Sequence, residues 1–143
     1  MSEVPAEGRI IVGVDGSESS KEALRTGARL AQALGAPLEA VLCWEDPILY
    51  ESYRVVEPEE FRASSEQLLA RTITEVFGED RPAGLTTRLL RGQAAARLIE
   101  ESEGAQLLVV GRRGTGGVLG MILGSVSSAL VSHARCSVLV VRH

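Results

Sequence analysis

Aromatic residues, lysine and cysteine are all scarce in this sequence. Aromatic side chains make up 3% of the 143 residues, Lys21 is the only lysine, and the formal net charge is −4. Proteins that bind nucleic acid need a basic surface and often use aromatic rings for stacking, so we expect no nucleic-acid partner. Cys43 and Cys136 have no histidine or second cysteine at metal-ligand spacing, which favours buried, unreactive thiols.

Long apolar runs are missing as well. Runs such as Leu107–Val110 and Val138–Val141 are far shorter than the roughly 20 residues that cross a bilayer. Residues 1–8 contain no basic segment followed by an apolar stretch. We therefore expect no membrane span and no secretory signal, and a cytoplasmic location. The length and an apolar content of 45% predict one globular domain over residues 1–143.

Short apolar runs alternate with segments of helical periodicity along the chain. Runs bounded by Gly or Pro predict buried strands, and apolar repeats at three- and four-residue intervals predict helices. Ser19-x-x-Glu22 has the spacing of a capping box at the first helix. The predicted order is strand Arg9–Asp15, helix Ser19–Leu34, strand Leu38–Trp44, helix Pro58–Phe77, strand Leu85–Leu90, helix Gln93–Ser102, strand Leu107–Val110, helix Ser125–Ala134 and strand Ser137–Arg142.

This alternation predicts an α/β fold, a doubly wound five-stranded parallel sheet with helices on both faces. With the strand order 3-2-1-4-5, the order reverses between strands one and four, and ligands bind outside the carboxyl ends of the strands at such a point. The loops that follow these two strands begin at Asp15 and Gly111. We expect both loops to line one crevice.

The second of these loops is unusually rich in glycine. Glycines let backbone N–H groups approach an anion closely, and the first turn of a following helix presents unpaired N–H groups to it. Ser125 would begin that helix, either as a cap or as a hydroxyl donor to phosphate. The alternative is a connecting loop without a ligand. The glycines are Gly111, Gly114, Gly116, Gly117, Gly120 and Gly124.

Charged groups near the two loops leave alternatives open. The carboxylate of Asp15 suits ribose hydroxyls, an adenine amine or a metal, but it equally suits an Asx turn that caps the first helix. Arg112 and Arg113 either clamp terminal phosphates or point into solvent. His133 and His143 favour surface or structural roles.

Efficient catalysis is not indicated. The sequence has no Gly-Lys-Ser/Thr of a Walker loop, and residues 111–125 contain no Asp, Glu or His that could orient an attacking oxygen. We assign no catalytic residue and no metal ligand, and we expect slow hydrolysis at most.

The spacing Gly111-x2-Gly114-x9-Gly124-Ser125 resembles the glycine pattern of ATP-binding universal stress proteins. Three further segments resemble that family, so the resemblance covers nearly the whole chain. They are Ile11–Ser17, Leu107–Gly111 and Ser137–Val141. Arg135-Cys136-Ser137 departs from the family pattern, in which proline commonly flanks the cysteine.

The resemblance implies a bound adenine nucleotide, ATP with or without Mg²⁺, and a homodimer formed through strand five. It places Asp15 beside the adenosine and the backbone around Trp44 at the adenine. It also places residues around the ribose and phosphates, and these are Gly111, Gly114, Gly124, Ser125, Val126 and, as a further phosphate candidate, Ser127.

Three functions remain open from the sequence. The first is an ATP-binding stress-response or signalling module whose protein partner is unknown. The second is a slow ATP hydrolase or adenylate-transferring enzyme, which the position of Asp15 suggests. The third is a dimeric interaction scaffold in which the glycine loop serves packing alone.

Overall fold

A computed structural model of the protein describes residues 8–45, 58–112 and 124–142. Strands and helices alternate there in the predicted order. The strands are β1 (Ile10–Gly13), β2 (Leu38–Trp44), β3 (Leu85–Arg91), β4 (Leu107–Gly111) and β5 (Ser137–Val141). The helices are α1 (Glu18–Leu34), α2 (Pro58–Phe77), α3 (Ala94–Ser102) and α4 (Ser125–His133).

The five strands form one parallel sheet in the order β3-β2-β1-β4-β5. This confirms the predicted doubly wound class and strand order. In the centre, Val12 of β1 lies opposite Ala40 of β2 and Val109 of β4. Because the strand order reverses at β1, the carboxyl ends of β1 and β4 lie side by side at the switch point.

Both faces of the sheet are covered by apolar layers. Val12 packs with Leu24 of α1 and Ile73 of α2 on one face, while the adjacent Ile11 packs with Leu130 of α4 on the other. Each of these side chains is at most 1% exposed. Coverage on both faces explains why β1 and β4 are continuous apolar runs and not alternating patterns.

The start of α1 differs from the prediction. The N-cap is Ser17, whose Oγ accepts the N–H of Ser20 at 3.1 Å. The predicted capping box at Ser19 is wrong, because the Glu22 carboxylate bonds Arg25 at 2.8 Å instead of returning to the backbone. Helix α1 therefore begins closer to the end of β1 than the sequence pattern indicated.

Helix α2 is longer than the strands on which it packs. Its 20 residues span about 30 Å at 1.5 Å per residue, whereas the seven residues of β2 span about 23 Å. Residues 58–64 are all exposed, and burial begins at Ser65. Phe61 is 38% exposed because its part of the helix extends past the strands.

The carboxyl ends of the strands, called here the carboxyl edge, are not level. The last residue of β1 to pair with β2 is Gly13, opposite Val41, and Val14 N–H then donates to the Val41 carbonyl at 2.9 Å. Strand β2 continues to Trp44 beside β3. In the part of the chain that the structure describes, β1 therefore forms no pairing with β2 beyond Val41.

The opposite side, called here the amino edge, carries an ion-pair cluster. Glu101 of α3 accepts hydrogen bonds from Arg9 at 3.1 Å and from Arg88 at 2.6 Å through the same oxygen. Glu39 of β2, only 8% exposed, lies 3.3 Å from Arg88 and 3.8 Å from Arg9. Two cations and two anions thus balance one another at the start of the sheet.

Candidate nucleotide site at the carboxyl edge

The turn after β1 is held by Asp15. Its Oδ1 accepts the N–H of Ser17 at 2.9 Å, and its own N–H donates to Ser20 Oγ at 3.2 Å. This confirms the Asx turn that the sequence allowed, while a contact with adenosine stays a prediction. Gly16 has φ +84°, and a Cβ there would lie 2.8 Å from Leu68 Cδ1 of α2. The turn therefore requires glycine for both its conformation and its packing.

Gly111 ends β4 directly against the first turn of α1. A Cβ on Gly111 would collide with Ser19 Oγ and lie 2.6 Å from the Ser19 carbonyl oxygen. Real Cβ atoms do not approach backbone so closely, and Ser19 itself is 8% exposed. Glycine is thus required here by the packing of α1 on β4, whether or not a ligand is bound.

Ser127, the third residue of α4, is 3% exposed. Its hydroxyl donates to the Gly111 carbonyl at 2.6 Å. The hydroxyl hydrogen is therefore engaged, and the side chain that was a phosphate candidate fixes the first turn of α4 to the end of β4. Any contact of Ser127 with phosphate in this arrangement would come from its backbone N–H.

The first turn of α4 differs from those of α1 and α3. Ser17 caps α1 and Gln93 caps α3, each with a side chain that accepts a backbone N–H. Gly124 is the N-cap of α4, and no side-chain hydrogen bond caps that helix. The first N–H groups of a helix have no partner within the helix. Of the three N-caps that the structure describes, the one beside Gly111 is therefore the one without a side-chain acceptor.

The ends of the glycine-rich stretch lie next to each other. Gly124 N–H donates to the Arg112 carbonyl at 2.8 Å, and Arg112 N–H donates to Val141 at the end of β5 at 3.0 Å. Gly124, Ser125 and Val126 thus lie beside the end of β4, and their contacts with ribose and phosphates stay a prediction. Gly114 and Arg113 lie outside the described residues.

The backbone of Trp44 faces away from β1. Its carbonyl accepts the N–H of Gly92 at 2.7 Å, next to β3, and successive residues of a strand direct their N–H and C=O groups to opposite sides. Val41 bonds Val14 on the β1 side, so Cys43, two residues on, also directs its backbone there. The contact of adenine with the backbone around Trp44 stays a prediction, and within that segment Cys43 is the residue whose backbone faces the β1 side.

The side chains at the end of β2 have other roles. The indole of Trp44 is 8% exposed in the core under α1 and α2, and the Arg91 guanidinium lies 5.5 Å from its ring centroid. Burial raises the pKa of the Cys43 thiol to about 11, and burial also raises the pKa of Cys136. Both thiols are therefore protonated at neutral pH, in agreement with the unreactive thiols expected from the sequence.

Residues 8–45, 58–112 and 124–142 contain neither a metal-binding cluster of side chains nor a membrane-spanning helix. No cluster of three histidine, cysteine, aspartate or glutamate side chains there could hold a metal ion. No helix in these residues is long and apolar enough to span a membrane.

The fold and this edge define a doubly wound α/β domain with an uncapped helix start at its switch point, the class of protein in which anionic ligands bind at helix N-termini. The model of the universal stress protein family matches residues 8–142, and the chain belongs to that family. A universal stress protein of Mycobacterium tuberculosis is 34% identical over 138 residues. A second one from the same organism is also 34% identical, over 143 residues.

Both alignments cover 96% of this chain but 46% of the relative, so the chain spans about half the length of these curated relatives. Among solved structures, universal stress protein UspA from Lactobacillus plantarum has a TM-score of 0.74 at 23% identity, covering 95% of this chain and 99% of that chain. A universal stress protein in complex with cAMP has a TM-score of 0.71 at 25% identity, with coverages of 95% and 97%.

Proposed function

We propose that this chain is an ATP-binding module of a stress-response or signalling protein, and that the nucleotide binds at the carboxyl edge between β1 and β4. The uncapped first turn of α4 beside Gly111 carries the proposal. The N–H groups of that turn, which have no partner within the helix, and the positive end of the helix dipole would receive the phosphates. Similarity to a family member in complex with cAMP supports an adenine nucleotide as the ligand.

The unequal ends of β1 and β2 suggest where the base binds. Beyond Val41 the backbone of Cys43 faces the side that β1 has left open. A purine edge offers one donor and one acceptor in the same plane, as a neighbouring strand would. We infer that adenine pairs with the Cys43 backbone and that Asp15 faces the adenosine from the turn below.

The proposal is a binding role and not efficient catalysis. One oxygen of Asp15 is committed to the N–H of Ser17 at 2.9 Å, so the carboxylate is a fixed part of a turn. Phosphoryl transfer needs positioned cations and a group that orients the nucleophile. We propose that Mg²⁺, where present, arrives with ATP and is not held by a protein cage.

Pairing of two chains through β5 belongs to the same proposal, as does a cytoplasmic location. Strand β5 is an edge strand bonded to β4 on one side, and Val138–Val141 are half-buried. Arg135 stands where the family pattern commonly has proline, and its N–H donates to the buried Ser102 Oγ at 2.8 Å. Proline at this position has no N–H for that bond. The outer side of β5 would pair with a second copy.

A matched pair of substitutions at Gly124 tests the phosphate site. Gly124 has φ −70° and ψ 166°, which any residue adopts, and Asp and Asn are both favoured N-caps. Gly124→Asp places a carboxylate on the amides that would hold phosphate, whereas Gly124→Asn places a neutral cap of the same shape. Calorimetry should show ATP affinity falling about tenfold or more for Asp and less for Asn, with thermal stability kept in both.

Binding of adenosine serves as the internal control. Adenosine has no phosphate, so its affinity should not depend on the residue at position 124. An aspartate variant that binds ATP as tightly as the wild type would contradict the phosphate site. Absence of ATP binding by the wild-type chain below about millimolar concentrations would overturn the proposed function itself.

A further inference from the structure

The exposed beginning of α2 carries an aromatic side chain with no core to enter. Phe61 is on the same helix face as Ser65, Leu68 and Leu69, since residues four, seven and eight positions apart share a face. Ser65 and Leu69 are buried against the rest of the domain. Phe61 faces the same way but lies past the ends of the strands, and 38% of it is exposed.

Contacts of Leu68 locate this face over the candidate site. The Leu68 side chain lies against Gly16, where an added Cβ would be 2.8 Å from Leu68 Cδ1. Gly16 follows Asp15 in the turn that borders the crevice. Phe61 precedes Leu68 by seven residues, which is about 10 Å along the helix. Helix α2 ends at Phe77 near the amino edge, so its first turns rise above the carboxyl edge.

We propose that Phe61 is a base-contacting residue, and that its ring packs on the purine of a nucleotide bound at the carboxyl edge. The inference depends on the proposed function, because it takes the position of the base from it. A nucleotide that reaches from α4 across Asp15 to the open side of β2 passes below the first turns of α2. An aromatic ring stacks on a purine face without requiring a hydrogen bond.

Other exposed apolar side chains of the described residues lie away from this position. Leu34, which ends α1 and is 54% exposed, lies toward the amino edge. Val131, 55% exposed, is on α4 past its first turn. Phe61 combines exposure, aromaticity and a place above the Asp15 turn.

The test is a titration of the full chain with ATP by calorimetry. Four forms are compared, the wild type, Phe61→Ala, Phe61→Leu and Phe61→Tyr. Alanine removes the apolar bulk, leucine keeps bulk without a ring, and tyrosine keeps the ring. Leu34→Ala is the matched control, since it truncates an exposed apolar side chain at the opposite edge, 54% exposed against 38% for Phe61. Thermal unfolding of each form checks that the fold is kept.

The expected result is a loss of ATP affinity of about 5- to 100-fold in Phe61→Ala, the range for removal of one aromatic stacking partner. Phe61→Leu should lose most of that amount, and Phe61→Tyr and Leu34→Ala should bind as the wild type does. Full ATP affinity in Phe61→Ala or in Phe61→Leu would overturn the role of the ring. A wild-type chain that binds no ATP would instead refute the proposed function.

Discussion

The two edges of the sheet satisfy their polar groups in different ways. At the amino edge, Arg9, Arg88, Glu39 and Glu101 bind one another within 2.6 to 3.8 Å. Hydrogen bonding to Glu101 raises the pKa of Arg88, which keeps the cluster ionised. At the carboxyl edge, serine hydroxyls and backbone groups do most of the bonding, and the start of α4 has no side-chain cap. A cluster that balances itself has no need of a ligand, whereas an uncapped helix start can receive one.

The large cleft of the described residues lies at the amino edge and not at the proposed nucleotide site. A cleft of about 1220 Å³ opens at the amino edge between the end of α1 and the segment before β3, with Ala28, Phe77 and Pro82 in its lining. Its lining includes none of the predicted site residues that the structure describes. The carboxyl edge is therefore proposed as the site because of its place at the switch point and the start of α4 there, and not because of the volume of a pocket.

Gly111→Ala should cause the largest loss of stability, because it disrupts the packing of α1 on β4 at the carboxyl edge. The new methyl group would meet Ser19, both its hydroxyl and its backbone, which cannot move without displacing α1. We expect a loss of about 3 kcal/mol in the free energy of unfolding, measured by urea denaturation. Gly124→Ala is the control, because Gly124 has ordinary dihedral angles, and it should cost less than about 1 kcal/mol. Equal stability of the two variants would refute the packing role of Gly111.

Glu101→Gln should show that the amino edge contributes to stability but not to nucleotide binding. It removes the charge that Arg9 and Arg88 share and leaves two arginines facing Glu39 alone. We expect a stability loss of about 2 kcal/mol, below the value for fully buried pairs because 37% of the Arg88 side chain is exposed. Nucleotide affinity should be unchanged. A variant that loses ATP binding at full stability would show that the edges are not independent.

Ser127→Ala tests how α4 is held at the carboxyl edge. The substitution leaves the Gly111 carbonyl without its 2.6 Å donor, at a cost of about 1.5 kcal/mol. Amide hydrogen exchange at the start of α4 should accelerate in the protein without nucleotide. Ser128→Ala, at an exposed position on the same helix, should change neither property. Unchanged exchange in the nucleotide-free Ser127→Ala variant would assign the hydroxyl to the ligand instead.

The smallest expected effect is the contribution of the Cys43 thiol to the pH dependence of stability. Its folded-state pKa of about 11 lies above the ordinary value of 9.0, so the folded protein keeps a proton that the unfolded chain loses between these pH values. Stability should therefore be complete below pH 9 and fall by about 1 kcal/mol toward pH 11, an amount reduced for partial exposure of the thiol. Cys43→Ala should flatten this part of the pH profile. The check is chemical denaturation at pH 8 and pH 10.5, and parallel profiles would contradict it.

The order of elements and the strand order could be predicted because each depends on patterns that repeat over many residues. Features that depend on the exact position of a single residue could not be predicted from such patterns. Ser17 and Ser19 offer the same hydroxyl two positions apart, and only the approach of Ser19 to Gly111 shows which one is free to cap α1. The resemblance placed the backbone around Trp44 at the adenine, but a step of one residue reverses the side that a backbone faces, so only the structure shows that Cys43 and not Trp44 directs its backbone toward β1.

The sequence pattern indicated which glycines end β4 and begin α4, whereas contacts between elements could not be predicted from it. Gly111 and Gly124 were named from their spacing, and both lie at the switch point. Ser127 was a phosphate candidate, and the sequence does not show that the Gly111 carbonyl lies 2.6 Å from its hydroxyl. The exposure of Phe61 could not be predicted either, because periodicity does not show that α2 is longer than the strands beneath it.

The contact of Gly111 with Ser19 on one side and Ser127 on the other has a mechanical consequence. One peptide group at the end of β4 touches the first turns of both α1 and α4, and close-packed interiors compress very little. A tilt of α4 would therefore push on α1 through the strand.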